Sequence, residues 1–201
     1  MASNPAQFEL SILLIDDNQA RAESIQSALD NSRYCIKHIT SPKFGLLKLV
    51  DEFQPDMIVI DIESPSRDML ESLHTISAFN PKPVVMFSEK EDTETINLSV
   101  KSGVSAYVAG DTDPARVRAI LDAAVARFDA FQQLRQELDD TKQALEARKV
   151  IDQAKRLLME QSGMSEQDAY KRMRKMAMDA GQKLEEVAKT LIAVMQNMKL
   201  G

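Results

Sequence analysis

The 201 residues predict an α/β domain followed by an all-α tail. Three observations carry this. Short apolar runs alternate with helix-length amphipathic stretches through the first 128 residues. No proline or glycine then occurs between Pro114 and Gly163, leaving one long helix-permissive stretch. From Arg148 to Ile192, three short stretches with helical apolar spacing are separated by Gly163 and Gly181.

Taken in order, residues 1–10 read as a leader. Ser11–Ile15 (SILLI) is a strand ending in Asp16-Asp17, followed by a helix over Ala20–Leu29. Cys35–Ile39 is a second strand, and Pro42 opens a helix reaching Phe53. MIVIDI from Met57 is apolar on both faces, as in a buried parallel sheet. A helix over Arg67–Ala78, the strand PVVMFS, a helix over Thr93–Ser102 closed by Gly103, and the strand AYVA complete the alternation. The result is a doubly wound, flavodoxin-like fold with a five-stranded parallel sheet over residues 11–128.

In such a fold the carboxyl ends of the strands form the crevice. The first strand brings Asp16 and Asp17 there, and the third brings Asp61. Three carboxylates at one sheet edge repel one another unless a cation or a proton joins them. A hard divalent ion, Mg²⁺, is the expected partner; the bland alternative is a set of acidic turns.

Along the long helix, Val117, Leu121, Ala124, Phe128, Phe131, Leu138 and Leu145 follow an alternating four-and-three spacing, interrupted by Arg135 and Lys142. That seam predicts a coiled-coil linker over 129–144 and, through it, a homodimer. The competing expectation is a single helix folded back on the α/β domain.

The tail, 145–201, predicts a three-helix cluster. Its apolar stripes are Val150, Ile151, Ala154, Leu157 and Leu158; then Ala169, Met173, Met176, Ala177 and Ala180; then Leu184, Val187, Ala188, Leu191, Ile192 and Met195. Ser165 is placed to cap the second helix. Opposite that helix's stripe lie Lys171, Arg172, Arg174 and Lys175, with Tyr170 at the border. Cations for phosphates beside a ring for unpaired bases suit RNA loops. Most charge runs are only solvated faces, so a bland reading stands beside that one.

Charge distribution favours the nucleic-acid reading. The net charge is −6, yet residues from Thr141 onward hold 12 Lys+Arg against 8 Asp+Glu, and the preceding residues 13 against 23. A single cysteine, Cys35, excludes an internal disulfide and fits a reducing cytosol. No apolar run approaches a membrane span and no secretory signal is visible, so a cytoplasmic protein without a membrane partner is expected.

Two resemblances sharpen these expectations. Leu145, Arg148, Ile151, Ala154-Lys155, Leu158-Met159, Gly163, Glu166, Ala169-Tyr170, Met173-Arg174, Ala177-Met178, Leu184 and Val187-Ala188 resemble the ANTAR module, an RNA-binding domain of bacterial transcription antiterminators. Arg156 stands where that family often has glycine. The resemblance implies binding of leader-RNA hairpins by Arg148, Lys155, Arg156, Tyr170, Lys171, Arg174 and Lys175. ILLIDD, PDMIVIDIESP, PVVMFSE and SGVSAYV resemble the receiver domain of two-component response regulators. This implies Asp61 as phosphoacceptor and Asp17, Asp61 and the Glu63 backbone carbonyl as metal ligands. Asp16 would be the acid behind them, and Ser88 and Tyr107 the switch pair. The receiver lysine, however, is replaced by Gly110, with Asp111 beside it, so phosphate transfer is not expected to be the normal signal.

ESPSRDM after Asp61, the absent lysine and SAYV are most similar to the nitrate-assimilation members of the family. That similarity implies control by a nitrate- or nitrite-sensing regulatory protein. The alternatives are a phosphorylation-dependent response regulator with the same RNA output, a DNA-binding response regulator and a protein-interaction adaptor. An enzyme is not expected, because no nucleophile–base pair or glycine-rich phosphate loop is visible.

Overall fold

A computed structural model describes residues 10–29, 34–40, 45–110 and 113–198. The chain divides into two compact units, Met1–Gln132 and Gln133–Gly201. The leader through residue 9, Pro42 and Asp111 lie outside the described residues.

The first unit runs β1 (Leu10–Asp16), α1 (Gln19–Leu29), β2 (Tyr34–Ile39), α2 (Leu46–Phe53), β3 (Met57–Ile62), α3 (Arg67–Phe79), β4 (Val84–Ser88), α4 (Thr93–Lys101) and β5 (Ala106–Ala109), and then enters α5 (Pro114–Ser162). The sheet is parallel throughout, in the order β2-β1-β3-β4-β5. This is the doubly wound flavodoxin-like topology that the alternation of elements predicts. The expected helix from Pro42 is shorter as described: α2 starts at Leu46, after Gly45 at φ 79°.

Strand pleating divides the core into two layers. Ile12 and Leu14 of β1, Met57 and Val59 of β3, and Val85 and Phe87 of β4 face α1 and α5, where Ile25, Leu29, Val117, Leu121 and Ala124 close the layer. Leu13, Ile15, Ile58, Ile60 and Met86 pack on the other side against Leu49 and Val50 of α2 and Leu73 and Ile76 of α3. Burial on both faces explains why MIVIDI lacks polar alternation. Three of the residues assigned to the helical seam, Val117, Leu121 and Ala124, are thus occupied in sheet packing. Farther along α5, Phe131, Leu138 and Leu145 are 62, 53 and 53% exposed.

In the second unit the remainder of α5 packs with α6 (Glu166–Ala180) and α7 (Leu184–Met198). Ala154, Leu158, Ala169, Met173, Ala188 and Met195 are its buried centre, with Val150, Ile151, Leu157, Leu184, Leu191 and Ile192 around it. The Ser165 hydroxyl accepts a hydrogen bond from the Asp168 amide at 3.2 Å, capping α6. Gly181 ends the helix in the left-handed conformation. The expected α6 stripe is too wide: Met176 and Ala180 are exposed, because Ala169, Met173 and Ala177 alone fill the contact.

Gly103 makes the most demanding turn. It has φ +100°, and a Cβ there would lie 2.5 Å from the Ser77 Cβ. Gly103→Ala should therefore add backbone strain to a steric clash and cost about 2–4 kcal/mol. The measurement is urea unfolding of the full chain, and an unchanged midpoint would contradict this account.

Candidate functional site

The first candidate site is the acidic crevice of the sheet. Asp16 ends β1 in register with Asp61 on β3. Asp16 is fully buried, Asp61 is 8% exposed and Asp17 is exposed. The carboxylates meet around a cation that the sequence reading missed. Arg21 Nη2 lies 2.9 Å from Asp16 Oδ1 and 3.0 Å from Asp17 Oδ1, and Arg21 Nε lies 3.2 Å from Asp61 Oδ1. Its Nη2 also donates to the Asp61 backbone carbonyl at 3.3 Å.

Local sequence aims this side chain. Asn18 accepts hydrogen bonds from the Ala20 and Arg21 amides through Oδ1, starting α1, while its own amide donates to Asp16 Oδ1. Arg21 then falls one helical turn after Asp17. That spacing, beside the surplus of carboxylate at the strand ends, is the signal in the sequence for a cation supplied by the chain itself.

The other expected pocket residues are also engaged. Ser88 Oγ donates to the Glu63 carbonyl at 2.9 Å and accepts from the Lys90 amide. Tyr107 Oη donates to the Lys90 carbonyl at 2.8 Å. At Gly110, where the lysine is absent, a Cβ would lie 3.1 Å from a Glu91 carboxylate oxygen.

Divalent magnesium requires several oxygens converging at about 2.0–2.1 Å. The residues as placed do not fit it. The oxygens of Asp17 and Asp61 converge on guanidinium nitrogens, and the Glu63 carbonyl accepts from Ser88. Among the described residues, no group of three or more His, Cys, Asp and Glu side chains is placed to hold a metal ion. In this arrangement Arg21 supplies the positive charge that the expected ligand set Asp17, Asp61 and Glu63 would otherwise meet with a metal ion.

Burial pushes the Asp61 carboxyl up from its ordinary 3.8 to about 6; Arg21 opposes this, while Asp16, Asp17 and Glu89 add to it. Arg21 is held above its ordinary value chiefly by its hydrogen bond to Asp16.

The second candidate site is the outer face of α6. Lys171, Arg174 and Lys175 are exposed and make no ion pair among the described residues. Tyr170 is 43% exposed one turn before Arg174, so its ring does not complete the core. Arg172 leans toward the Met164 sulfur. The expected cations on α5 are placed differently. Lys155 lies between Asp152 and Glu166, at 2.7 and 2.8 Å, and ties α5 to the start of α6. Arg156 donates to the Asp152 carbonyl at 3.4 Å, and Arg148 stands 4.0 Å from the Asp152 carboxylate. These three line an open groove with Met159 and Glu166.

Comparisons with known proteins agree with both units. The response regulator receiver domain model matches residues 12–122, and the ANTAR domain model matches residues 139–192. The chain belongs to the response regulators, with a receiver domain followed by an ANTAR domain. It is 26% identical to the transcriptional regulatory protein PdtaR of Mycobacterium tuberculosis over 153 residues, 76% of this chain and 75% of that one. It is 48% identical to the nitrate regulatory protein of Klebsiella oxytoca over 64 residues, 32% of this chain and 16% of that protein. In fold, it is similar to the signal receiver domain of a modulated diguanylate cyclase from Desulfovibrio desulfuricans, with TM-score 0.51, 16% identity and coverage of 60% and 97%. Among the described residues, no helix is long and apolar enough to cross a membrane.

The Asp61 shift has a defined sign. The folded state holds this proton more tightly than the unfolded chain, so the carboxyl's contribution to stability is full below about pH 4 and lost as pH rises through about 6. Arg21→Gln should raise the Asp61 midpoint above about 6, because Arg21 favours the carboxylate. Carbon-detected NMR titration of the Asp61 carboxyl reads this directly, and a midpoint that falls would contradict the assignment.

Proposed function

We propose that this protein is a transcription antitermination regulator that binds hairpin loops in leader RNA through the outer face of α6. The observation that carries this reading is the row Lys171, Arg174 and Lys175, without an ion pair among the described residues, beside the exposed ring of Tyr170. Phosphates meet the cations, and an unpaired loop base stacks on the ring. Arg148 and Arg156 extend the positive surface on α5. Lys155 contributes mainly by holding α6, since two carboxylates engage it and keep its ammonium above its ordinary pKa.

The receiver domain receives its signal by contact with a sensor protein. Support comes from the Arg21 network, in which Asp61 is paired, and from Gly110 in the place of the lysine. A nitrate- or nitrite-sensing partner, and genes of nitrate assimilation as targets, are supported by the partial similarity to the Klebsiella oxytoca nitrate regulatory protein. The exposed row Phe131, Leu138 and Leu145 on α5 supports a homodimer joined along that helix.

The RNA reading is tested by titrating a leader hairpin and its plain duplex stem. Arg174→Ala should weaken both and lower the salt slope by about 0.7–0.9. Tyr170→Ala should cost about 1–3 kcal/mol on the hairpin and little on the duplex, with circular dichroism checking the fold. Parent-like binding by both folded variants would exclude this face.

For the stalk, Phe131→Asp combined with Leu138→Asp should convert a dimer to monomer, since an interface cannot bury unpaired carboxylates cheaply. Sedimentation equilibrium checks it; an unchanged mass would remove the coiled coil.

A further inference from the structure

We propose that Arg21 is the resident cation of the receiver crevice and excludes divalent metal from it, so that this receiver holds its acidic residues together without Mg²⁺. The inference is independent of the RNA reading. It rests on three features of the crevice.

First, the guanidinium occupies the point where the carboxylates converge. Within 3.2 Å it reaches Asp16, Asp17 and Asp61, each from a different point of the β1–α1 turn or β3. A metal ion at that point would have to displace these bonds and then attract the same oxygens, and two cations sharing such a small site would repel strongly.

Second, Arg21 follows two of its partners, Asp16 and Asp17, within five residues of chain. Asn18 fixes the first turn of α1, and the Asn18 amide is itself held by Asp16. Side chain and carboxylates are thus linked through a few ordered residues, and an intramolecular cation competes at high effective concentration with a dissolved one.

Third, the backbone oxygen that would complete a metal site is also engaged. The Glu63 carbonyl accepts from Ser88 Oγ, whose position is fixed in turn by the Lys90 amide. A bound metal would have to share this carbonyl with the Ser88 hydroxyl through its second lone pair. A domain held together in this way keeps its charge arrangement when metal concentration changes, which suits an input read by protein contact.

The test uses the full chain and Mn²⁺ as the probe, with electron paramagnetic resonance reporting free metal and Mg²⁺ as competitor. The parent should leave the Mn²⁺ signal undiminished. Arg21→Gln should take up Mn²⁺ at least about tenfold more tightly than the parent, displaceable by Mg²⁺. Uptake by the parent as tight as by the variant would overturn the proposal, and so would a folded Arg21→Gln that takes up no metal. Should the variant not fold, amide spectra of the parent decide: Mg²⁺-dependent shifts at Asp17, Asp61 and Glu63 would overturn the proposal, and unchanged resonances would support it.

Discussion

The bonds between one guanidinium and three carboxylates organise the carboxyl edge of the sheet. Asp16 is fully buried and Asp61 nearly so, and neither could be held there as an anion without a partner. Arg21 permits β1 and β3 to end side by side with acidic residues in register. The same bonds orient the β1–α1 turn through Asp16 and Asn18. Removing the cation would thus disturb a strand end, a helix start and the protonation of Asp61 together. Asp61 pairs with Arg21, and the receiver architecture stands around that pair.

The second unit distributes its charge differently. Lys155 is spent between Asp152 and Glu166, where it joins α5 to α6. The cations of α6 have no such duty among the described residues. A helix of this length gains little by holding Lys171, Arg174 and Lys175 near one another, since like charges one turn apart destabilise it. Its stability comes instead from the Ser165 cap, the Gly181 terminus and burial of Ala169, Met173 and Ala177. Such a division leaves the outer face available for a ligand at little structural cost.

Much of this was legible in the residues. Short apolar runs located the five strands, because burial within a parallel sheet leaves a composition that a single sequence displays. Gly163 and Gly181 marked the helix ends, since both adopt positive φ there. Helical spacing identified nearly all of the second unit's core. Periodicity left two points to the packing. Met176 and Ala180 fit the stripe by periodicity but are exposed, because the width of a contact is set by the partner helices. Val117, Leu121 and Ala124 fit a coiled-coil seam and also a sheet-packing face, and periodicity alone does not separate the two.

By itself, then, the sequence determined the order of elements, the two-domain division of charge, the acidic crevice and the basic α6 face. These are properties of spacing and composition along the chain. Tertiary structure alone decided which cation neutralises the crevice and that Glu166 engages Lys155. Arg21 and Asp61 are forty positions apart, and Lys155 and Glu166 eleven. An ion pair depends on where side-chain tips converge within about 4 Å. That convergence is set by strand register and helix packing, and local pattern carries no direct record of either.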